Sequence, residues 1–248
     1  MKLLYKIFGV AVVIVLWQVI FASGLVNPLF LPSPISVAQK LVELLTNAVF
    51  LADIFNTLLR TLFGFSIAIV LGVPLGILMG YSEKIYNMFE FLIDFFRSIP
   101  ATAMIPLFTL MFGIGDFSKI LLIAFVSLLI IAFNTMYGVK NGKKLRRITG
   151  ELFGLHGWKL FTKIIFPESL PYIFVGLRVA ISSAFVVVVV SEMFIGTASG
   201  LGHRIIDAQL VYDSTLMYSA ILMAGVLGYA INKIFVLLES KVVQWSGK

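Results

Sequence analysis

The sequence predicts an all-α integral membrane protein, a single domain over residues 1–248 with six transmembrane helices and both termini in the cytoplasm. Of the 248 residues, 60% are apolar and 12% are charged, against about 25% charged in an ordinary soluble domain. Because roughly 20 apolar residues carry a helix across a ~30 Å hydrocarbon layer, this length accommodates about six crossings. The chain contains no cysteine, which excludes disulfides and thiolate chemistry.

The first predicted span covers residues 3–22, which follow Lys2 and are almost entirely apolar. A signal peptide is the alternative, because a basic start precedes this stretch and small residues follow it at 22–24. The apolar part is long for a signal peptide, so an uncleaved helix is favoured. After three prolines, residues 35–50 place apolar side chains at helical spacing among polar ones, which predicts a helix lying on the membrane surface.

The second predicted span, residues 61–81, contains no charged residue. Small residues recur at every fourth position and therefore share one helix face. The small residues are Gly64, Ala68, Gly72, Gly76 and Gly80. Such a face lets another helix approach closely, which is how helices associate in lipid, and Pro74 predicts a kink within the span.

The third predicted span, residues 88–112, is unusual because it holds Glu90, Asp94 and Arg97. Charged side chains inside a membrane mark a solute pathway by default. An ion pair between Asp94 and Arg97, three residues apart, that merely holds helices together is an equally good interpretation. The remaining predicted spans are residues 120–137, 172–195 and 216–238. Glu192 lies near the end of one of them without a local basic partner.

Residues 138–171 form the one sizeable predicted loop, which is rich in Lys, Arg and Gly and too polar to enter lipid. Of the nineteen Lys and Arg residues, fourteen fall on the side of the termini and this loop, four fall on the opposite side, and Arg97 lies inside a span. Cytoplasmic segments carry the excess of positive charge, so the termini and the loop are predicted to be cytoplasmic at the cell membrane. The net charge of +7 then requires no nucleic acid partner.

Motifs for catalysis and metal binding are weak. Two histidines and no His-Glu-x-x-His sequence predict no metal site. Residues 113–116 and 212–213 resemble the paired Asp motifs of intramembrane aspartyl proteases, but in reversed order and at the outer surface, so turn and capping roles are favoured. Residues 138–144 have neither the spacing nor the hydroxyl of a phosphate loop. The chain is therefore predicted to have no catalytic residue, cofactor or ATP site of its own.

The loop at residues 138–171 resembles a known element. Gly154 is followed after nine residues by Ile164-Ile165-Phe166-Pro167, which is similar to the EAA loop of ABC importer permeases, although Ile148-Thr149-Gly150 stands where Glu-Ala-Ala is usual. Other motifs match in order and spacing the permeases of the nitrate/sulfonate/taurine importer group. They are Leu31-Pro32-Ser33-Pro34, Arg97-Ser98-Ile99-Pro100, Ile105-Pro106-Leu107, Phe112-Gly113-Ile114-Gly115, Leu170-Pro171, Gly176-Leu177-Arg178, Ser191-Glu192-Met193 and Ser199-Gly200-Leu201-Gly202.

This resemblance implies a type I ABC importer-like permease fold and a place in a larger assembly. The chain would be one half of a permease homodimer, with ATPase subunits that hold ATP and Mg²⁺ docked on the loop and a solute-binding protein delivering substrate near residues 196–213. The residues expected to couple to the ATPase are Thr149, Gly150, Glu151, Leu152, Phe153, Gly154, Leu155, His156, Gly157 and Trp158. The candidate residues of the translocation path are Asp94, Arg97, Pro100, Ser191, Glu192 and Met193.

Two other functions remain open at this stage. An ion-coupled secondary transporter would also account for the charges at Asp94, Arg97 and Glu192, but it would leave the long loop unexplained, and no inverted repeat is evident. An intramembrane hydrolase is the third hypothesis, and the reversed order of the two Asp motifs weakens it. The transported solute, expected to be small and polar or anionic, is not determined by the sequence.

Overall fold

The computed structural model of the protein describes residues 2–142, 144–196 and 198–243. Lys143 and Lys248, which contribute to the charge count above, lie outside these ranges. All regular elements within the described ranges are helical. They are α1 (Lys2–Ala22), α2 (Pro34–Leu44), α3 (Ala48–Tyr81), α4 (Glu83–Ser98), α5 (Ile105–Phe112), α6 (Asp116–Lys140), α7 (Lys144–Leu152), α8 (Gly157–Leu160), α9 (Phe166–Phe194), α10 (Leu201–Leu210) and α11 (Ser214–Val242), with a 3₁₀ turn at Ala101–Met104 and a π turn at Phe161–Ile165.

The surface helix and the second span differ from the prediction at their shared boundary. The surface helix, α2, ends at Leu44, and the next helix begins at Ala48 because the Asn47 side chain caps it by accepting hydrogen bonds from the amides of Val49 and Phe50. Residues 48–60, predicted to lie outside the span, therefore continue into α3, which is 34 residues long.

The centre of the fold is a close pair of parallel helices, α3 and α6. Along the small-residue face of α3, the neighbours of Gly64, Gly72 and Gly80 are Ile123, Ile131 and Val139 in turn. The residue numbers on the two helices rise together with a constant difference, so the two helices run in the same direction. The predicted close-packing face is confirmed, and α6 is the helix that approaches it.

The contacts between α6 and α9 define the two ends of the bundle. Gly138 of α6 lies against Tyr172 of α9, and Gly176 of α9 lies against Asn134 of α6, so these helices are antiparallel. We call the end that holds residues 141–156 the loop end. The opposite end, where α3 and α6 begin and α9 finishes, is the far end.

Because α3 and α6 are parallel, the chain between them must return from the loop end to the far end. It does so in two pieces, α4 and the segment Ala101–Phe112, which meet at an angle of 96°. The span expected at residues 88–112 is therefore bent within its length. Pro100 lacks an amide hydrogen and disfavours a helical conformation for Ile99, which places the break between Ser98 and Ala101.

The predicted loop at residues 138–171 is shorter in the structure. The fourth span extends to Lys140, and the chain from Gly157 to Phe194 is a helical stretch of 38 residues that contains an apolar segment long enough to cross a membrane. Only residues 141–156, with α7 among them, stand outside the spans. The predicted glycine-rich link at 196–213 likewise contains a helix, α10.

Within the described residues, four helical stretches are long and apolar enough to cross a membrane, and a fifth is added if the bent pair forms one span. The four are Ala48–Tyr81, Asp116–Lys140, Gly157–Phe194 and Ser214–Val242. The apolar part of α1, Ile7–Ala22, is shorter. The count of six spans and the orientation of the termini therefore stay predictions.

Candidate functional site

The loop end presents an exposed apolar surface on α7 and the turn after it. Leu145, Ile148 and Leu152 are spaced three and four residues apart and share one helix face. Leu152 and the adjoining Phe153 are each 82% exposed. Trp158 is also exposed, and its ring stacks on Phe161 with centroids 5.2 Å apart. We call Leu145, Ile148, Leu152, Phe153 and Trp158 the loop-end surface. Clustered apolar side chains on a segment outside the spans are typical of a protein-binding site.

Two glycines shape this segment for different reasons. A Cβ on Gly150 would lie 2.3 Å from Cδ1 of Ile164, so the glycine is what lets α7 pack against the start of the fifth span. Gly154 has nothing within 4 Å of a Cβ position, but its φ is +78°. It therefore ends α7 in the left-handed conformation, with the Leu155 amide donating to the Gly150 carbonyl.

Behind α7 lies an open groove of about 850 Å³ between the loop segment and the start of α9. Its walls are partly apolar, with Phe153, Ile164 and Tyr172, and partly basic, with Lys163. Arg146 spans the groove to Glu168, with 3.4 Å between Nη1 and Oε1. The groove separates α7 from the membrane-spanning helices except at Gly150 and at the Arg146–Glu168 ion pair.

At the far end, Arg60 is the centre of a buried ion cluster. Its Nη1 donates to Oε1 of Glu192 at 2.6 Å, and its Nε donates to Oδ1 of Asp116 at 2.8 Å. The same guanidinium reaches the carbonyl and hydroxyl of Ser199. Arg60 is 5% exposed and Glu192 1%. The cluster therefore joins α3, α6 and α9, and it supplies the basic partner that the sequence near Glu192 lacks.

The cluster also fixes the segment before α10 to α3. Asp53 accepts the Gly200 amide at 2.8 Å and the Arg204 Nε at 2.9 Å. Glu192 accepts the Gly202 amide at 3.0 Å, and a Cβ on Gly202 would lie 2.0 Å from the Val189 carbonyl oxygen. Only glycine allows this approach. The predicted motif at residues 199–202 is thus a structural joint.

Lys119 adds a third cation to this end of the bundle. Its side chain is fully buried, and Nζ has no hydrogen-bond partner among the described residues. The nearest carboxylate oxygen recorded for it, Oδ1 of Asp116, is 3.9 Å away. Three cations and three carboxylates, those of Asp53, Asp116 and Glu192, therefore lie together. Asp116 is 58% exposed, and the balance lowers the cost of burying the charges of Asp53, Arg60, Lys119 and Glu192.

The break between α4 and α5 carries the other charged pair. Arg97 Nη1 lies 3.7 Å from Asp94 Oδ1, and the guanidinium stands 3.9 Å from the ring centroid of Phe133. Asp94 and Arg97 are both exposed. Beside them, Pro100 and Met104 help to line a cavity of about 280 Å³. The candidate path residues near the break thus lie together on an accessible surface.

The other candidate path residues lie in the packed interior at the far end. Ser191 is fully buried and donates to the Val188 carbonyl at 2.8 Å, Glu192 belongs to the ion cluster, and Met193 packs against the core. The structure therefore separates the six candidates into an accessible group at the break and a buried group.

The two Asp motifs have the structural roles favoured by the sequence. Asp213 caps α11 by accepting the Leu216 amide at 2.9 Å, and Asp116, in the first turn of α6, bonds to Arg60. Across the described ranges, no three His, Asp or Glu side chains are grouped as a metal site would require.

Comparison with known proteins gives this architecture a family. Residues 72–244 match the family described as binding-protein-dependent transport system inner membrane component. The chain belongs to this family. It is a multi-pass transport component of ABC permease type, and the predicted resemblance is confirmed.

The permease resembles relatives along nearly its whole length. It is 31% identical over 98% of its length to the nitrate import permease protein NrtB of Synechocystis sp., of which it covers 90%. It is 27% identical over 96% of its length to the taurine transport system permease protein TauC of Escherichia coli K12, of which it covers 88%. An inward-facing structure of the MetNI methionine ABC transporter has a similar fold, with a TM-score of 0.70, 20% identity, and coverage of 78% of the permease and 96% of that chain.

Arg60, Asp53 and Lys119 of the permease were not predicted as members of a site. All three lie in or beside spans and are charged, which is the signal that drew attention to Asp94 and Arg97. Arg60 directly precedes the predicted start of the second span, so it was counted with the outer loop charges. The true start of α3 at Ala48 places Asp53 and Arg60 within a helix.

Proposed function

We propose that this permease is the membrane-spanning subunit of an ATP-driven importer and that it docks a separate ATPase subunit on the loop-end surface. The observation that carries the proposal is the exposure of Leu152 and Phe153, each 82%, at the end of a helix that stands outside the spans and in the turn that follows it. Large apolar side chains in water are unfavourable unless a partner covers them. Leu152 and Phe153 would be the anchors, and Trp158 would extend the contact.

The ten residues from Thr149 to Trp158 have distinct parts in this docking. Leu152, Phe153 and Trp158 would contact the ATPase, Gly150 would hold α7 against the fifth span, and Gly154 would set the direction of the chain after α7. Because Gly150 lies against Ile164, a push on α7 passes directly to the start of a membrane-spanning helix. Rigid-body motion of helices is the usual means of alternating access.

The ATPase subunit would supply the energy for transport. ATP and Mg²⁺ would bind in the ATPase subunit, and the resulting movement would reach the permease through α7. A second permease copy would complete the translocation path, and a solute-binding protein would deliver the solute at the far end near residues 196–213. The excess of Lys and Arg on the side of residues 138–171 supports a cytoplasmic position for the loop end.

The translocation path would follow α4 and the break after it. Asp94 and Arg97 are accessible, and their 3.7 Å ion pair is loose enough for a polar solute to compete with it. The cavity of about 280 Å³ beside Pro100 suits a small solute. Ser191, Glu192 and Met193 would instead hold the far end of the path in shape.

The test is purification of the permease from its native membrane, with identification of the proteins that accompany it. The wild-type chain should retain an ATPase subunit, and the double substitution Leu152→Ala and Phe153→Ala should release it. A matched control is Leu110→Ala, because Leu110 is 86% exposed but lies on α5, away from the loop end.

Two results would contradict the proposal. If the Leu152 and Phe153 double variant retains the ATPase as fully as the Leu110 variant does, the loop-end surface is not the docking site. If no ATPase accompanies the wild-type chain and a proton or sodium gradient alone drives uptake in proteoliposomes, the permease is an ion-coupled secondary transporter.

A further inference from the structure

The far end carries an exposed apolar corner where the chain after α1 meets the turn between α10 and α11. Phe30 and Tyr212 form the junction, with ring centroids 6.4 Å apart, and the Ser214 hydroxyl donates to the Leu29 carbonyl. We call this surface the apolar corner. Its members, all between 50% and 83% exposed, are Leu25, Leu29, Phe30, Leu210, Val211 and Tyr212. The corner is separate from the ion cluster and from the loop-end surface.

The apolar corner adjoins the two helices that bury least of their own surface. In α11 only Ser219, Ala220 and Met223 are buried, and the apolar side chains of α1 are exposed along most of its length. Both helices reach the corner, since α1 ends at Ala22 and α11 begins at Ser214. The corner therefore continues the exposed apolar sides of α1 and α11.

The composition of the corner differs from that of a loop in water. Residues 23–33, which are the whole connection from α1 to α2, contain no Asp, Glu, Lys or Arg. Aromatic side chains collect here as well: the rings of Trp17 and Tyr218 lie 5.7 Å apart, and the Trp17 indole donates to the Pro32 carbonyl at 3.0 Å. Trp and Tyr with one polar tip are typical of the membrane–water boundary.

The backbone of both turns is also suited to a region with little water. The amides of Phe30 and Leu31 donate to the Asn27 carbonyl, and the Leu29 amide donates to the Asn27 side chain. In the other turn, the amides of Val211 and Tyr212 donate to carbonyls of α10. Irregular backbone tolerates a low-dielectric environment only when such groups are paired internally.

We infer that the apolar corner is a lipid-binding surface, seated among the glycerol and upper acyl-chain groups of the bilayer at the far end. The occupant is phospholipid, because the corner is continuous with the exposed apolar sides of α1 and α11 and has internally paired turns. The one carboxylate in these turns, that of Asp213, is bonded to the Leu216 amide. The contact fixes how deep the connection between α1 and α2 and the turn before α11 sit in the bilayer. This inference does not depend on the proposed partner ATPase, and it leaves residues 196–209 of the far end for the solute-binding protein.

The absence of cysteine from the chain allows a direct test. Nitroxide labels are placed singly at Leu25→Cys and Val211→Cys, and the full chain is reconstituted in vesicles of phosphatidylethanolamine and phosphatidylglycerol. Collision rates are measured with oxygen, which concentrates in the bilayer, and with a water-soluble nickel chelate. Val13→Cys on α1 is the lipid-facing control, and Gln39→Cys on the exposed side of α2 is the aqueous control.

The ratio of oxygen to nickel collisions at positions 25 and 211 should exceed the ratio at position 39 several-fold and approach that at position 13. A ratio equal to that at position 39 would show an aqueous surface and overturn the inference. Exclusion of both reagents, with immobile labels, would show that protein covers the corner and would equally overturn it. Dipolar broadening between labels would then identify that protein as a second copy.

Discussion

The contact between α3 and α6 gives a quantitative prediction at Gly76. In the variant Gly76→Ala, the new Cβ would lie 2.5 Å from the Ala132 carbonyl oxygen and 2.6 Å from the Thr135 Cβ, whereas Cβ atoms essentially never approach within 3.0 Å. The obstacle on α6 includes backbone, which cannot rotate away. The helices must therefore separate by about 0.5–1 Å, a gap that forfeits a quarter to a half of the dispersion energy at each contact.

The expected size of the effect follows from two opposing contributions. Overpacking of a close interface costs about 1–3 kcal/mol, and alanine is favoured over glycine within a helix by up to about 1 kcal/mol. The free energy of unfolding should therefore fall by about 1–2 kcal/mol in Gly76→Ala. Matched controls are Gly225→Ala on α11 and Gly9→Ala on α1, where nothing lies within 4 Å of the Cβ position.

The assay is equilibrium unfolding of the purified chain in mixed micelles with rising SDS, followed by circular dichroism. Both control variants should be as stable as the parent chain or more stable, because they gain helix propensity without a steric conflict. The reasoning would be refuted if Gly76→Ala and Gly225→Ala unfolded at the same SDS fraction. The small-residue face of α3 would then not be in close contact with α6.

Three other predictions concern charged and loop residues. Replacing Glu192 by Gln leaves the Arg60 guanidinium buried without its closest anion, so the free energy of unfolding in micelles should fall by about 3–5 kcal/mol. A loss below about 1 kcal/mol would contradict the ion cluster. A double-mutant cycle on Asp94 and Arg97 should give a coupling free energy below about 1 kcal/mol in the same assay, because the pair is exposed and 3.7 Å apart. A larger coupling free energy would mean that the pair stabilises the fold. Replacing Gly154 by Leu should strain the backbone at φ +78° and uncouple ATP hydrolysis from uptake, while leaving global unfolding unchanged. Normal solute-stimulated ATP hydrolysis in this variant would contradict the prediction.

The sequence allowed good prediction of features that repeat along one helix. The small-residue face of α3 was visible because its period of four matches the helix, and the structure shows close contacts at Gly64, Gly72, Gly76 and Gly80. The identity of the facing helix was not visible. A face made only of glycine and alanine carries no information about which partner packs on it, so α6 emerged only from the structure.

The sequence contains a signal for the break in the third span, but this signal was not interpreted as a bend. Pro100 and Pro106 lie inside the expected span at residues 88–112, yet hydropathy averaged over a window hardly registers a change of direction. Pro100 sets the position of the break, and the segment that returns between α3 and α6 bends there by 96°. The size of such a bend depends on how the helices are arranged in space, which local sequence does not specify.

The ion cluster shows a different limit of sequence reasoning. Glu192 was singled out, but its partner Arg60 is 132 residues away. No spacing rule joins residues so distant, because periodicity relates only neighbours on one element. The motif at residues 199–202 was visible, whereas its role as a joint depends on contacts with Asp53 and Thr57 that only the folded chain provides.

That separation of 132 residues also bears on how the protein is made. At about 5–20 residues per second, a ribosome needs roughly 7–25 s to reach Glu192 after Arg60. During this interval Arg60 lacks Glu192, and Asp53 lacks the Gly200 amide and Arg204, so we expect the first turns of α3 to stay in water. Arrival of α9 and of residues 199–204 supplies these partners, and insertion of the far end is then completed only when most of the chain has been synthesised.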